Sequence, residues 1–131
     1  MSEKSTILKT FNHHFFEFID DILRIFPNNT DLAIGRKSFD TIKKANPTAI
    51  IKVWYNYVFT PYKDVIEKGN IDFFLEKDYS SDLSILANSN EIMKVIDVMR
   101  GPIKEMSESN RQHSIKYIQN LSKMADLYSR L

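Results

Sequence analysis

The run Asn46-Pro47-Thr48-Ala49-Ile50-Ile51-Lys52-Val53-Trp54, continuing through Thr60-Pro61 to Gly69-Asn70-Ile71-Asp72-Phe73-Phe74, decides the reading of this chain. It holds one helix start, one interruption, one stop and a dense aromatic load, and no catalytic motif. Asn46 suits an N-cap and Pro47 the first helical position, where a missing N–H costs nothing. At about 100° per residue, Ile50, Ile51, Val53, Trp54, Tyr57 and Val58 share one face, which marks Trp54 as core. Phe59 falls on the opposite side, beside Lys52. Pro61 disfavours the helical conformation at Thr60, so a kink or break is expected there. Tyr62, Val65 and Ile66 resume the apolar stripe, and Gly69 is placed to close it.

The same periodicity extends outward in both directions. Residues 6–26 read as a first helix with Ser5 as its cap. Leu8, Phe11, Phe15, Phe16, Phe18, Ile19, Ile22, Leu23, Ile25 and Phe26 cover about half its circumference, so it must pack against several neighbours. Pro27 ends it. A second helix, capped by Thr30 or Asp31, runs to about Ala45 with Leu32, Ile34, Phe39, Ile42 and Ala45 on its apolar side. Gly35 in its middle is explained by a close helix crossing. Beyond Gly69, a short turn at 70–75, a loop at 78–81 and a short helix at 82–87 are expected. Ile92, Val95, Ile96, Met99, Ile103 and Met106 then form a helical stripe, kinked or split at Gly101-Pro102. Ser107 or Ser109 opens the last helix, which runs to Leu131.

These elements predict one all-α domain over residues 1–131. The expected form is an irregular or orthogonal bundle of about five to seven helices, with no sheet. There is no cysteine, which excludes disulfides and thiolate metal sites. No stretch approaches the ~20 apolar residues of a membrane span, and Met1-Ser2-Glu3-Lys4-Ser5 lacks the apolar run of a secretion signal. The net charge of +1 gives no global attraction to nucleic acid. Charge is nonetheless bipolar. Residues 36–52 carry Arg36, Lys37, Lys43, Lys44 and Lys52 against Asp40 alone, whereas residues 64–82 are mostly acidic.

Three groups of residues are candidates for function. His13, Glu17 and Asp21 share a helix face with metal-ligating chemistry, but no second segment joins them, and neither metal nor cofactor is expected. Arg36, Lys37, Lys43 and Lys44, with Lys116, Lys123 and Arg130 on the last helix, form two basic stripes able to contact phosphates. Trp54, Tyr55, Phe59 and Tyr62 can supply stacking beside them, although helical aromatic stripes are usually core. Tyr117, Leu121, Met124, Tyr128 and Leu131 are spaced 4, 3, 4, 3, a short coiled-coil seam, with Leu127 widening it. Tyr117, Met124, Leu127 and Leu131, together with Phe59, are therefore the candidate partner contacts. No glycine-rich phosphate loop or nucleophile elbow is present, so no enzyme is expected.

Three segments carry a resemblance to a family. They are Asn46-Pro47-Thr48-Ala49-Ile50-Ile51-Lys52-Val53-Trp54, Gly69-Asn70-Ile71-Asp72-Phe73-Phe74-Leu75 and Tyr117-Ile118-Gln119-Asn120-Leu121-Ser122-Lys123. With the Lys/Asn/Ile-rich composition, they resemble small helical proteins encoded by nucleocytoplasmic large DNA viruses, the giant viruses. The likeness runs from about Phe11 to Tyr128 and carries over no catalytic residue. It implies a viral protein of the host cytoplasm, the viral factory or the virion. The expected function is a non-enzymatic structural or adaptor protein acting through protein–protein contacts, as a homo-oligomer or as a subunit of a viral complex. The alternative is a nucleic-acid-associated factor in viral transcription, replication or genome packaging.

Overall fold

The first helix, α1 (Glu3–Ile25), is the centre of the molecule because its apolar arc is too wide for one neighbour to cover. The computed structural model describes residues 3–69, 98–99 and 101–131. After α1 come α2 (Thr30–Ala45), α3 (Ala49–Val53), a π-helical segment (Trp54–Phe59), α4 (Thr60–Glu67) and α5 (Glu108–Arg130). The described residues contain no strand, and the all-α bundle expected from the sequence is what they form. Phe11, Phe15, Ile19 and Ile22 line the inner face of α1. His14, Phe18 and Asp21 turn to one side and meet Tyr117 of α5. Phe16 and Asp20 turn to the other and meet Arg36 of α2. Thus α1 separates α2 from α5, and the segment from α3 to α4 packs against its inner face and α5.

The helix ends depart from the expected positions. Ser5 lies inside α1, not at its cap. Asn29, not Thr30 or Asp31, caps α2: its Oδ1 accepts the Leu32 N–H at 3.0 Å. Asn46 serves two neighbours. Its N–H donates to Ile42 O at 2.8 Å and closes α2, while its Oδ1 accepts from Thr48 N and Oγ1 at 3.1 and 2.8 Å. Helix α3 therefore starts at Ala49. Gly69 and Ser107 act as expected. Gly69 ends its helix with φ +74°, and Ser107 Oγ accepts the Asn110 N–H that opens α5. Ile34, 62% exposed, and Ala45, also exposed, are at the surface rather than part of an apolar face, and Ile25 is 40% exposed. Gly35, by contrast, is buried.

The break expected at Thr60 is displaced. Thr60 itself is helical, with φ −58° and ψ −46°. Pro61 has no N–H for the carbonyl four residues back, so the regular ladder cannot pass it. The chain widens before the proline: the Thr60 N–H reaches Tyr55 O, an i→i+5 bond, and Thr60 Oγ1 donates to the same oxygen at 2.7 Å. The residual distortion falls after the proline, at Tyr62 (φ −126°, ψ 24°).

This widening corrects one sequence reading. On a regular α-helix Trp54 and Phe59 lie about 140° apart. In the π segment they are one wide turn apart, and both face inward: Trp54 is fully buried and Phe59 is 7% exposed. Phe59 is therefore core, not a partner contact. Trp54 packs edge-on to Phe11 and Phe15, and its Nε1–H donates to the buried Ser122 Oγ at 3.0 Å. It is closed to stacking with a nucleic-acid base.

The turn at 70–75, the loop at 78–81, the helix at 82–87 and most of the 90–106 stripe lie outside the described residues, as does the Tyr57 side chain. The expected interruption at Gly101-Pro102 adjoins Arg100, also outside them. Within that stripe Met99, Ile103 and Met106 are buried, as its periodicity requires. No helix among the described residues is long and apolar enough to cross a membrane.

Candidate interaction site on the last helix

Helix α5 buries one face and leaves a second apolar stripe outside it. Ile118, Leu121, Ser122 and Ala125 point into the core. Tyr117 is half-buried: its ring stacks on Phe18 with centroids 4.9 Å apart, and its hydroxyl donates to Asp21 Oδ2. Burial first, and then the bond to Asp21, push the Tyr117 phenol up to about 12. Arg24 Nη1 lies 2.7 Å from the other Asp21 oxygen. Much of the expected seam is thus spent on the chain's own fold. Leu121 is fully buried, and Tyr117, Met124 and Tyr128 pack against the core.

What remains is a different pattern. Met124, Leu127, Tyr128 and Leu131 stand at i, i+3, i+4 and i+7, one stripe along the end of α5. Met124 and Tyr128 form its half-buried inner edge, while Leu127 and Leu131 are each 49% exposed. Lys4 Nζ sits 4.8 Å above the Tyr128 ring. Exposed Lys123 and Arg130 flank the stripe, with Arg130 paired to Asp126 at 2.9 Å. Apolar anchors at this spacing are those with which one helix docks on another.

The basic residues are not assembled into one surface. Arg36 is held by Asp20 at 2.9 Å and lies over the Phe16 ring. Lys43 and Lys44 approach Asp40 at 4.0 and 3.1 Å, and the Lys44 hydrogen bond holds that carboxyl below its ordinary range. Lys37, Lys116 and Lys123 are exposed. Because α1 stands between α2 and α5, the two stripes lie on helices that it separates.

His13 Nε2 lies 2.8 Å from Glu17 Oε1, an exposed i,i+4 pair, while Asp21 is occupied by Tyr117 and Arg24. Among the described residues no group of three or more His, Asp or Glu side chains is placed to hold a metal ion. His14 is partly buried beneath Tyr117, its Nε2 has no hydrogen-bond partner among the described residues, and burial lowers its pKa.

Sequence reasoning missed two features. One is a groove of about 270 Å³ between α1 and α5, floored by Phe18, Ile22 and Met106 and rimmed by Asp21, Arg24 and His113. The other is a cleft of about 390 Å³ where Lys9, Asn12 and His13 of α1 meet Lys43 and Lys44 of α2 beside Pro47. Both join residues distant in sequence. The one local signal was Asn12, a lone amide inside the apolar arc of α1, which is buried with its Nδ2 donating to Pro47 O at 3.0 Å. No protein-family model, no curated protein and no solved structure matches the chain.

Proposed function

We propose that the chain is a structural or adaptor protein without catalytic chemistry of its own, and that it works by docking α5 against the same helix of a second copy. The observation that carries this reading is the Met124–Leu127–Tyr128–Leu131 stripe, whose two outer leucines are half-exposed at the end of an otherwise packed helix. A contact between copies buries apolar area that supplies the affinity. The charges of Lys123, Asp126 and Arg130 aid encounter and orientation, an effect that salt screens within about 10 Å at 0.1 M. The resemblance to giant-virus proteins supplies the setting: host cytoplasm, viral factory or virion.

Analytical ultracentrifugation over a concentration series tests the proposal. Self-association that Leu127→Asp disrupts more than Lys43→Glu, with helical circular dichroism unchanged, supports it. A strict monomer at high concentration refutes self-association. Unfolding by Leu127→Asp places that residue in the core and refutes the docking surface. A nucleic-acid role has less support, because Trp54 and Phe59 are buried and closed to base stacking and Arg36 and Arg130 are engaged by carboxylates of their own chain.

A further inference from the structure

The cleft between α1 and α2 brings together donors that neither helix presents alone. Lys9 projects from α1, and Lys43 and Lys44 from the last turn of α2, with His13 on the same rim. Lys9 is exposed and has no ion-pair partner among the described residues. Lys43 is half-buried, its ammonium 4.8 Å above the Phe16 ring, so its stem is fixed by packing. Lys44 is 75% exposed and meets Asp40 at 3.1 Å. Lys9, Lys43 and Lys44 therefore line one concavity, and Asp40 is the carboxylate that touches the ammonium groups of the last two.

The walls are fixed as well. The Asn12 amide ties α1 to the α2–α3 turn through Pro47 O, and Asn46 locks that turn through Thr48. Asn12 Oδ1 is buried with no partner among the described residues and, as a closed-off acceptor, takes no part in holding an anion. Lysine ammonium groups bind phosphoryl oxygens as point charges, and an anion held by several of them gains charge-assisted hydrogen bonds.

We propose that this cleft is a binding site for a compact phosphate-bearing ligand carrying more than one phosphoryl group. A single phosphate spans fewer of the ammonium groups than two or three linked phosphates do. A nucleic-acid strand is a poorer fit, because the other basic stripe lies on α5, a helix that α1 separates from the cleft's α2 wall. A small polyphosphate or a nucleotide's phosphate chain matches a concavity of about 390 Å³ with its charge on one rim.

The test uses the full chain, with inorganic phosphate, tripolyphosphate and a single-stranded oligonucleotide as probes. Calorimetry gives affinity, and backbone amide NMR shifts give the location. Saturable tripolyphosphate binding, tighter than phosphate binding, with shifts at residues 9–13 and 43–48, is the expected result. Lys9→Gln with Lys44→Gln weakens it by about tenfold or more, the loss expected for charge-assisted bonds. Lys44→Arg keeps the charge and retains binding, while Lys116→Gln with Lys123→Gln changes nothing. Helical circular dichroism stays constant throughout, since Lys9 and Lys44 lie at the surface. Absence of saturable tripolyphosphate binding overturns the proposal. So does equal sensitivity to the α5 substitutions, or binding by the oligonucleotide alone with affinity rising with its length.

Discussion

Replacing Trp54 with alanine probes the centre of the packing. The indole is fully buried, lies edge-on to Phe11 and Phe15 at 6.4 and 6.1 Å, and donates to Ser122 Oγ. Truncating a buried large aromatic costs about 3–5 kcal/mol through lost transfer energy and the cavity left behind. The buried Ser122 hydroxyl also loses the N–H that donates to it, so the upper part of that range is the expectation. A domain of this kind has only about 5–15 kcal/mol to lose. With a urea slope of about 1–3 kcal/mol/M, a ~4 kcal/mol loss lowers the unfolding midpoint by roughly 2 M. Trp54 is the single tryptophan, so unfolding is followed by far-UV circular dichroism rather than fluorescence. A cycle with Trp54→Phe and Ser122→Ala isolates the hydrogen bond. Ser122→Ala alone removes the acceptor of the indole N–H and costs about 1–3 kcal/mol. Added to Trp54→Phe, it costs much less. A loss below ~1 kcal/mol in Trp54→Ala contradicts a buried indole at the core and refutes the reasoning.

Acidification should destabilise the fold through His14. Burial lowers its pKa below 6.5 despite the opposing influence of Glu17, so the unfolded chain takes up its proton first and stability falls as pH drops below about 6.5. The urea midpoint should fall from about pH 7 to about pH 5 less in His14→Gln than in the parent, and parallel curves refute the assignment. At the alkaline end, Tyr117 keeps its proton to about 12 while the unfolded phenol loses it near 10, so stability falls between those values. Ultraviolet titration should show one of the six tyrosines ionising late, a component absent from Tyr117→Phe. Gly69→Ala should cost about 1–2 kcal/mol from the left-handed backbone. An added Cβ there meets Gln119 and Ile115 at an ordinary 3.6 Å, so a much larger loss in thermal or urea unfolding would point to steric conflict instead.

The helices were legible wherever burial has the α-helical period. Phe11, Phe15, Ile19 and Ile22 in α1 are one such set, and Ile118, Leu121 and Ala125 in α5 are another. Phe59 was misread because periodicity assumes a constant angular step, and Pro61 announces an interruption without saying on which side the chain will widen. Ile34 was misread because a hydrophobic residue on a helix's apolar side still needs a neighbour, and it stays 62% exposed among the described residues. In the candidate stripe, exposed Leu127 and Leu131 were readable as surface anchors. The withdrawal of Tyr117 was not, because its partner Asp21 is 96 residues away. The ammonium cleft was hidden for the same reason, since it exists only once α1 lies against α2.

That separation between α1 and α5 also has a consequence for synthesis on the ribosome. At ~5–20 residues per second, Tyr117 emerges about 5–20 s after Asp21. Throughout that interval α2 and α3 can settle on one flank of α1, but Phe18 and the indole of Trp54 lack the helix that covers them. The nascent chain therefore carries an aromatic face whose contacts from α5 are made only once that late helix emerges. Contacts of such long range slow the folding of a chain whose all-helical make-up otherwise favours speed.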